Sequence, residues 1–345
     1  MRAVVVTGAG RVAVDDVARP RVEDAGDAVV AVRLAAICAS DLHLLDGHTP
    51  GLRVGAVIGH EVVGTVADAG DGVTRHRAGD RVVASFLVAC GRCPSCSARR
   101  FNHCARRRAL GLGELTGDLD GAQAEYVRVP DADVNLRAVA PGIADDDAVF
   151  AGDVLTTGFY AAALTEAGPG DVVAVVGGGP VGLSSASAVR LRGASVVVLD
   201  TDERRVALAR ERLGLVAAVP GDEPEAAVAR AAGRPADVAL DAVGAVPAFK
   251  SALRCVRDGG RVVVVGVYGP QRYDLPMGRV WVRGLELRFS GMANVQAHWD
   301  DVLDAIERGD VHPARIATHR LSLDDAAEGY ELFRARHAAK VLLEP

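Results

Sequence analysis

The pattern of apolar and polar residues changes character midway along the chain. From Met1 to about Asp153, short apolar runs lie between Gly and Asp turns. This pattern predicts short strands, among them Ala28 to Leu34, Glu61 to Val66 and Arg81 to Ala84. The first part of the chain is therefore expected to be a β-rich domain.

From about Asp171, β-branched runs alternate with helical periodicity. Strands are predicted at VVAVV, VVVLD, ADVALD, RVVVVG and LELRFSG, and helices from Pro180, from Glu203 to Leu213 and from Pro247 to Val256. The alternation predicts a doubly wound parallel sheet. After it, the chain is expected to form a helix from Trp299 to Arg308, a Ser322-x-x-Asp325 capping box before another helix, and a closing VLL strand.

Length and composition fit this division. The 345 residues, half of them hydrophobic, are enough for two domains with their own cores. A net charge of −6 argues against nucleic-acid binding. The apolar start MRAVVV is too short for a secretory signal, and GGGP interrupts the longest uncharged run, so neither export nor a membrane span is expected. Six cysteines fit reduced thiols in the cytoplasm better than disulfides.

Four thiols are concentrated in the segment CGRCPSCSARRFNHC. Cys90, Cys93, Cys96 and Cys104 follow the spacing C-x2-C-x2-C-x7-C, which favours a closed tetrahedral shell around one metal ion. We expect a structural zinc lobe at about residues 90–104.

A second, open metal site is indicated upstream. Cys38 in CASDLH and the pair His60 and Glu61 in GHE offer a thiolate, an imidazole and a carboxylate. These ligands are too few for a closed structural site but sufficient for an open one. Two zinc ions per chain, of different character, are therefore expected.

The segment VVAVVGGGPVGL predicts a dinucleotide site. Gly177, Gly179 and Gly182 stand where a strand turns into a helix, so bare backbone N–H groups and the helix dipole can hold a pyrophosphate. Asp200 ends the next strand, where a carboxylate accepts hydrogen bonds from ribose hydroxyls and repels a 2′-phosphate. NAD is therefore favoured over NADP. Two alternatives stay open: Asp200 could instead cap the helix that begins at Glu203, and Arg204 and Arg205 could instead bind a 2′-phosphate.

Taken in order, these features resemble the zinc-dependent alcohol dehydrogenase branch of the medium-chain dehydrogenase/reductase superfamily. The resemblance covers CASDLH, GHEVVGTV, AGDRV, the four-cysteine lobe, GDVLTTG and GGGPVG, which is nearly the whole length. It implies a GroES-like catalytic domain, residues 1–153 and 291–345, and a Rossmann domain, residues 154–290. It also implies a homodimer or homotetramer.

The resemblance also implies roles for individual residues. Cys38, His60 and Asp153 would bind the catalytic zinc, with Glu61 near enough to enter the shell and Asp41 holding His60 by its other nitrogen. Ser40 and His43 would relay the proton. Contacts to the cofactor are implied for Thr157, Pro180, Val181, Arg205 and Lys340, the last at the pyrophosphate, and a substrate-pocket lining for Phe86 and Met292.

The expected activity is hydride transfer between a primary or secondary alcohol, or the corresponding aldehyde or ketone, and NAD. Within the same class, the sequence is also compatible with a polyol, amino-alcohol or formaldehyde-type dehydrogenase. Two further alternatives are a dinucleotide-binding redox sensor without turnover and a zinc-free quinone or enoyl reductase. Intact Cys38, Ser40, His60 and Asp153 argue against the sensor.

Overall fold

The computed structural model describes residues 1–48, 50–269 and 272–345. The strands are, in chain order, β1 (Arg2–Gly8), β2 (Arg11–Asp16), β3 (Ala28–Ile37), β4 (Glu61–Ala69), β5 (Arg81–Ala84), β6 (Leu87–Val88), β7 (Arg108–Ala109), β8 (Tyr126–Val129), β9 (Leu136–Ala138), β10 (Val172–Val176), β11 (Ser195–Leu199), β12 (Val216–Ala218), β13 (Ala236–Asp241), β14 (Val256–Val264), β15 (Glu286–Phe289), β16 (His319–Ser322) and β17 (Val341–Glu344).

The α-helices are α1 (Ala39–Leu45), α2 (Pro94–Ser97), α3 (Ala132–Asn135), α4 (Asp145–Ala148), α5 (Val154–Thr165), α6 (Pro180–Leu191), α7 (Glu203–Leu213), α8 (Pro224–Ala232), α9 (Val246–Cys255), α10 (Met277–Val282), α11 (Val295–Glu307) and α12 (Ala326–Arg334). Among the described residues, no single helix is both long and apolar enough to cross a bilayer. The segments Asp145–Gly152 and Val154–Thr165, joined at a 55° bend, satisfy length and composition only as a pair.

The described chain divides into two compact units. Unit 1 comprises Met1–Thr156 and Asn294–Pro345, and unit 2 comprises Thr157–Ala293. The C-terminal segment thus groups with the N-terminal part of the chain. The boundaries expected from the sequence lie three residues before these at both crossings.

Unit 1 is built on a mixed sheet centred on β3. In the described residues the strand order is β16-β17-β3-β4-β5-β9, and β8 also pairs with β3. The sequence of β3, AVVAVRLAAI, is apolar on both faces, and all its positions but two are buried. Because β3 and β4 pair antiparallel with Ala36 opposite Glu61, the end of β3 lies beside the start of β4. This register brings together the segments that carry Cys38 and His60.

Unit 2 is the doubly wound parallel sheet predicted from the alternation of strands and helices. Its described strands follow the order β12-β11-β10-β13-β14-β15, and every neighbouring pair is parallel. All five residues of β10 are buried, as expected for a central strand covered on both faces. The order reverses between β10 and β13, so a crevice forms at the carboxyl ends of these two strands.

The structure corrects the predicted capping box near the C-terminus. Ser322 Oγ lies 2.6 Å from Asp325 Oδ2, but neither side chain accepts a hydrogen bond from the helix backbone. The residues Leu323–Asp325 instead form a 3-10 turn, and α12 begins after it. The predicted capping box is wrong because the Asp325 carboxylate bonds to the Ser322 hydroxyl and not to the Ser322 backbone N–H.

Candidate active site

The four lobe cysteines converge as their spacing predicts. Cys93 precedes α2 and Cys104 follows a 3-10 turn, so two local turns bring distant sulfurs together. The Sγ atoms are separated by 3.5 Å between Cys93 and Cys96, 3.9 Å between Cys93 and Cys104, and 3.5 Å between Cys90 and Cys104. Zn–S bonds of about 2.3 Å in a tetrahedron place sulfurs about 3.8 Å apart. The separations therefore suit one shared ion and exclude disulfide bonds, whose sulfurs lie about 2 Å apart.

Backbone N–H groups around the lobe favour thiolates. Those of Cys90 and Arg106 each donate to Cys104 Sγ at 3.4 Å. Backbone hydrogen bonds from Cys96 and Ala105 lower the pKa of the Cys93 thiol to about 6. Burial raises the pKa of Cys96 to about 12 and that of Cys104 as well, so the lobe combines thiols of both kinds, and the thiolate form that zinc binds is favoured in advance at Cys90 and Cys93.

The second donor cluster lies in unit 1 where β3, β4 and the turn before α5 meet. Cys38, His60, Glu61 and Asp153 each offer a ligand atom, all within 4.8 Å of one another, and all four are buried. His60 Nε2 lies 3.3 Å from Asp153 Oδ2, and Cys38 Sγ lies 3.7 Å from the same oxygen. Tetrahedral zinc predicts about 3.4 Å for a nitrogen–oxygen edge and about 3.6 Å for a sulfur–oxygen edge. The three donors predicted from the sequence thus fit a single zinc ion.

Asp41 orients His60 from the side away from this cluster. Asp41 Oδ1 lies 3.0 Å from His60 Nδ1, which leaves Nε2 directed at Asp153. Burial opposes a charged imidazole, but Asp41 and Cys38 outweigh burial and raise the pKa of His60. A role for Asp41 as no more than a surface ion pair is excluded, because its side chain is fully buried.

Two residues that sequence reasoning missed complete this support. Gln123 Nε2 donates to Asp41 Oδ2 at 3.3 Å, and the Tyr330 hydroxyl donates to Gln123 Oε1 at 2.8 Å. A Cβ at Gly59, whose φ is +96°, would collide with the Gln123 side chain. The glycine before His60 is therefore required by a partner 64 positions later, which no local pattern in the sequence reveals.

Lys340 forms a buried ion pair with Glu61. Its ammonium forms an ion pair with Glu61 Oε2, and the two side chains are 1% and 0% exposed. Burial raises the pKa of Glu61 to about 7 even though Lys340 opposes the shift, and Glu61 in turn outweighs burial to raise the pKa of Lys340. In this conformation the ammonium is closed to solvent and pairs with Glu61, and the predicted contact of Lys340 with pyrophosphate stays a prediction.

The predicted proton-relay residues lie on α1, directly after Cys38. Ser40 Oγ is 3.8 Å from Cys38 Sγ. His43 is half-buried, and its ring centroid lies 5.7 Å from that of His48. Burial and His48 lower the pKa of His43, against the opposing effect of Asp46. This shift favours the neutral form of the His43 imidazole.

The two predicted pocket residues lie in different units. Phe86, in unit 1, is 7% exposed, and its ring meets the His60 ring edge-on at a centroid distance of 6.0 Å. Met292 is half-buried in unit 2. Phe86 thus lies against a metal-ligand candidate, whereas the role of Met292 stays a prediction.

The glycine turn of unit 2 has the geometry of a phosphate cradle. Gly177 has a φ of +106°, and a Cβ at Gly182 would collide with the Gly177 carbonyl, so the helix packs directly on the turn. Pro180 is the first residue of α6 and Val181 is half-buried in its first turn. Helix N–H groups thereby face the turn without a side chain in the way. Thr157, the first residue of unit 2, lies in α5 and is half-buried.

Asp200 is tied to this turn. Its Oδ2 accepts a hydrogen bond from Gly178 N at 2.6 Å, and its Oδ1 accepts one from Asp202 N at 2.8 Å. Asp202, and not Asp200, caps α7 by accepting from Arg204 N. The helix-cap interpretation of Asp200 is therefore wrong. Arg205 Nη1 lies 3.6 Å from Asp200 Oδ2, so a cation stands beside the carboxylate.

Comparisons with known proteins agree with this arrangement. Residues 24–139 match the alcohol dehydrogenase GroES-like domain and residues 180–308 the zinc-binding dehydrogenase domain. A Mycobacterium tuberculosis protein named a probable zinc-binding alcohol dehydrogenase is 37% identical over 97% of this chain and 86% of its own. The solved alcohol dehydrogenase of Thermus sp. ATN1 is 41% identical, with a TM-score of 0.94 over 100% of this chain and 99% of its own. A Sinorhizobium meliloti 1021 protein solved bound to NADP is 29% identical, with a TM-score of 0.86 over 100% and 99%. With both zinc-donor clusters formed, the chain belongs to the zinc-dependent alcohol dehydrogenase branch of the medium-chain dehydrogenase/reductase superfamily.

Proposed function

We propose that this chain is an NAD-dependent zinc alcohol dehydrogenase, which oxidises a primary or secondary alcohol and reduces the aldehyde or ketone in the reverse direction. The observation that carries the proposal is the buried cluster of Cys38, His60 and Asp153, whose donor separations fit zinc. Three protein ligands leave a fourth position for substrate, as in other catalytic zinc sites.

Each residue of the cluster has a distinct task. A zinc ion held there would supply Lewis acidity, which lowers the pKa of an alcohol hydroxyl. Cys38 as thiolate and Asp153 as carboxylate balance a dication, and Asp41 keeps His60 in the tautomer that presents Nε2. Ser40 Oγ, 3.8 Å from Cys38 Sγ, would accept the alcohol proton while it releases its own hydroxyl proton toward His43, whose lowered pKa favours the neutral imidazole that can accept a proton.

NAD preference is proposed from Asp200. Its carboxylate stands at the carboxyl end of β11, beside the glycine turn, where it would accept hydrogen bonds from ribose hydroxyls. The neighbouring Arg205 and the NADP-bound relative favour the other cofactor. The carboxylate decides in our proposal, because it would oppose a phosphate dianion at the same position.

Asp200→Gly is expected to shift the ratio of kcat/KM for NAD over that for NADP toward NADP by about tenfold or more, since a like-charge contact disappears and Arg205 is released. Steady-state kinetics with both cofactors measure the shift. Asp202→Gly, which removes the cap of α7 but not this carboxylate, is the matched control. A wild-type enzyme more efficient with NADP would overturn the assignment.

The activity itself is tested by cofactor reduction over a panel of primary, secondary and polyhydric alcohols and formaldehyde hydrate, each with NAD and NADP. We expect turnover with neutral alcohols and about two zinc ions per chain by metal analysis. Turnover confined to polyols or formaldehyde would select the corresponding subclass. Dinucleotide binding without turnover on any substrate would favour the sensor, and zinc-free active protein would favour the quinone reductase.

A further inference from the structure

The side chain of Asp241 joins two loops at the carboxyl edge of the unit 2 sheet. It is the last residue of β13 and is fully buried. Oδ1 accepts hydrogen bonds from Val243 N at 2.9 Å and Gly244 N at 3.2 Å. Oδ2 accepts one from the Tyr268 hydroxyl at 2.7 Å, and the same hydroxyl lies 3.0 Å from Ala245 O. One carboxylate thus holds the loop after β13 and a tyrosine that follows β14.

The backbones of these loops are also in direct contact. Asp241 O accepts hydrogen bonds from both Val265 N and Gly266 N, each at 2.9 Å. A Cβ at Gly266 would collide with Gly244 N, and a Cβ at Gly244, whose φ is +79°, would collide with Val267 O. Such close approach leaves the two backbones little freedom at these positions.

The loops present two exposed apolar side chains, which we name the valine wall: Val243, 46% exposed, and Val267, 53% exposed. Val243 lies next to the glycine turn, since a Cβ at Gly177 would approach its Cγ2 to 2.6 Å. Neither valine belongs to the hydrophobic core of unit 2. Core packing therefore does not explain why apolar side chains stand exposed beside a polar phosphate cradle.

The sheet order indicates what the valine wall faces. A dinucleotide crosses the sheet where the strand order reverses, here between β10 and β13. Its pyrophosphate occupies the glycine turn after β10, and its adenosine ribose lies toward Asp200 on the β11 side. The loops after β13 and β14 therefore face the second mononucleotide, which in NAD carries the nicotinamide. Apolar side chains there would pack against that ring.

We propose that the Asp241–Tyr268 hydrogen bond is a positioning element for the nicotinamide half of the cofactor, which it serves by fixing the valine wall. The inference rests on the proposed use of NAD. Burial raises the pKa of the Asp241 carboxyl against the opposing effect of the Tyr268 hydroxyl. Without the hydroxyl, Oδ2 stays buried and loses its bond, so the loops adopt alternative arrangements and the wall is formed in only a fraction of molecules.

Tyr268→Phe tests this role through two ligands. NADH contains the nicotinamide, and ADP-ribose contains only the half that binds at the glycine turn and Asp200. We expect the Kd of NADH, measured by calorimetry, to rise about five- to twentyfold in Tyr268→Phe, and that of ADP-ribose to change less than about twofold. Tyr273→Phe is the matched control, because the Tyr273 ring packs on Phe249 in the same unit. It should leave both constants unchanged.

Asp241→Asn provides the conservative variant. The amide oxygen still accepts from the loop N–H groups, and the amide N–H donates to the Tyr268 hydroxyl, whose proton then serves Ala245 O. NADH binding should stay within about threefold of wild type in Asp241→Asn, and Asp241→Asn combined with Tyr268→Phe should lose as much as Tyr268→Phe alone.

The outcomes separate this inference from the proposed function. Equal losses of NADH and ADP-ribose affinity, or unchanged NADH affinity in Tyr268→Phe, would overturn the positioning role while leaving cofactor use intact. Wild-type protein that binds neither ligand would reject NAD use and, with it, this inference.

Discussion

Asp153→Asn is expected to lower kcat by about a hundredfold or more and to weaken binding of the metal in the open site. The amide keeps the shape of the side chain but removes one of the two negative charges that would balance zinc there. Turnover and zinc content after mild chelation measure the two effects. The four-cysteine lobe, which is a separate cluster, should keep its metal.

Two control variants sharpen this test. Asp146→Asn changes an acid a few positions away that only pairs with Arg320 at the surface, and it should leave rate and zinc unchanged. Ser40→Ala should lower turnover without loss of metal, because it interrupts proton transfer and not the metal shell. An Asp153→Asn enzyme with unchanged zinc affinity and rate would reject the ligand role, and Glu61 would become the leading carboxylate.

The second large effect is expected for Lys340→Met. This change leaves Glu61 buried without its cation, and breaking a buried ion pair from one side typically costs about 3–5 kcal/mol. Urea unfolding followed by circular dichroism measures the loss. In the double variant Lys340→Met with Glu61→Gln, most of the stability should return, since the uncompensated charge is gone. Lys250→Met, at a surface site over the Tyr273 ring, is the matched lysine control. A double variant no more stable than Lys340→Met alone would show that charge compensation is not the reason.

Features set by neighbouring residues were predictable from the sequence. The strand Arg81–Ala84 and the helix Glu203–Leu213 have the predicted bounds, because a Gly79-Asp80 turn precedes the strand and the acidic cap Asp202 precedes the helix. The lobe followed from the spacing of its cysteines, which two short turns fulfil. Boundaries set by tertiary contacts differed: α11 begins at Val295, four residues before the predicted Trp299.

The support of the open site was beyond the reach of sequence reasoning. Gln123 and Tyr330 reach Asp41 across long chain separations, and neither lies in a motif. The resemblance implied a pyrophosphate contact for Lys340, which stays a prediction. Its buried pairing with Glu61 is evident only from the structure, which places β17 beside β3 and β3 beside β4.

The position of β17 in the chain also determines the order in which the two units can fold during synthesis on the ribosome. Unit 2 is one continuous segment, Thr157–Ala293, and all its described strands are synthesised before β16 and β17. Unit 1 cannot close at that time, because β17, which follows unit 2 in the chain, pairs with β3, which precedes unit 2. Until then Glu61 is without Lys340, and the last residues of β3, Ala35 to Ile37, are without the strand partner that β17 supplies. Translation should therefore yield a nascent chain in which unit 2 is folded first and unit 1 is aggregation-prone until β17 has been synthesised and released.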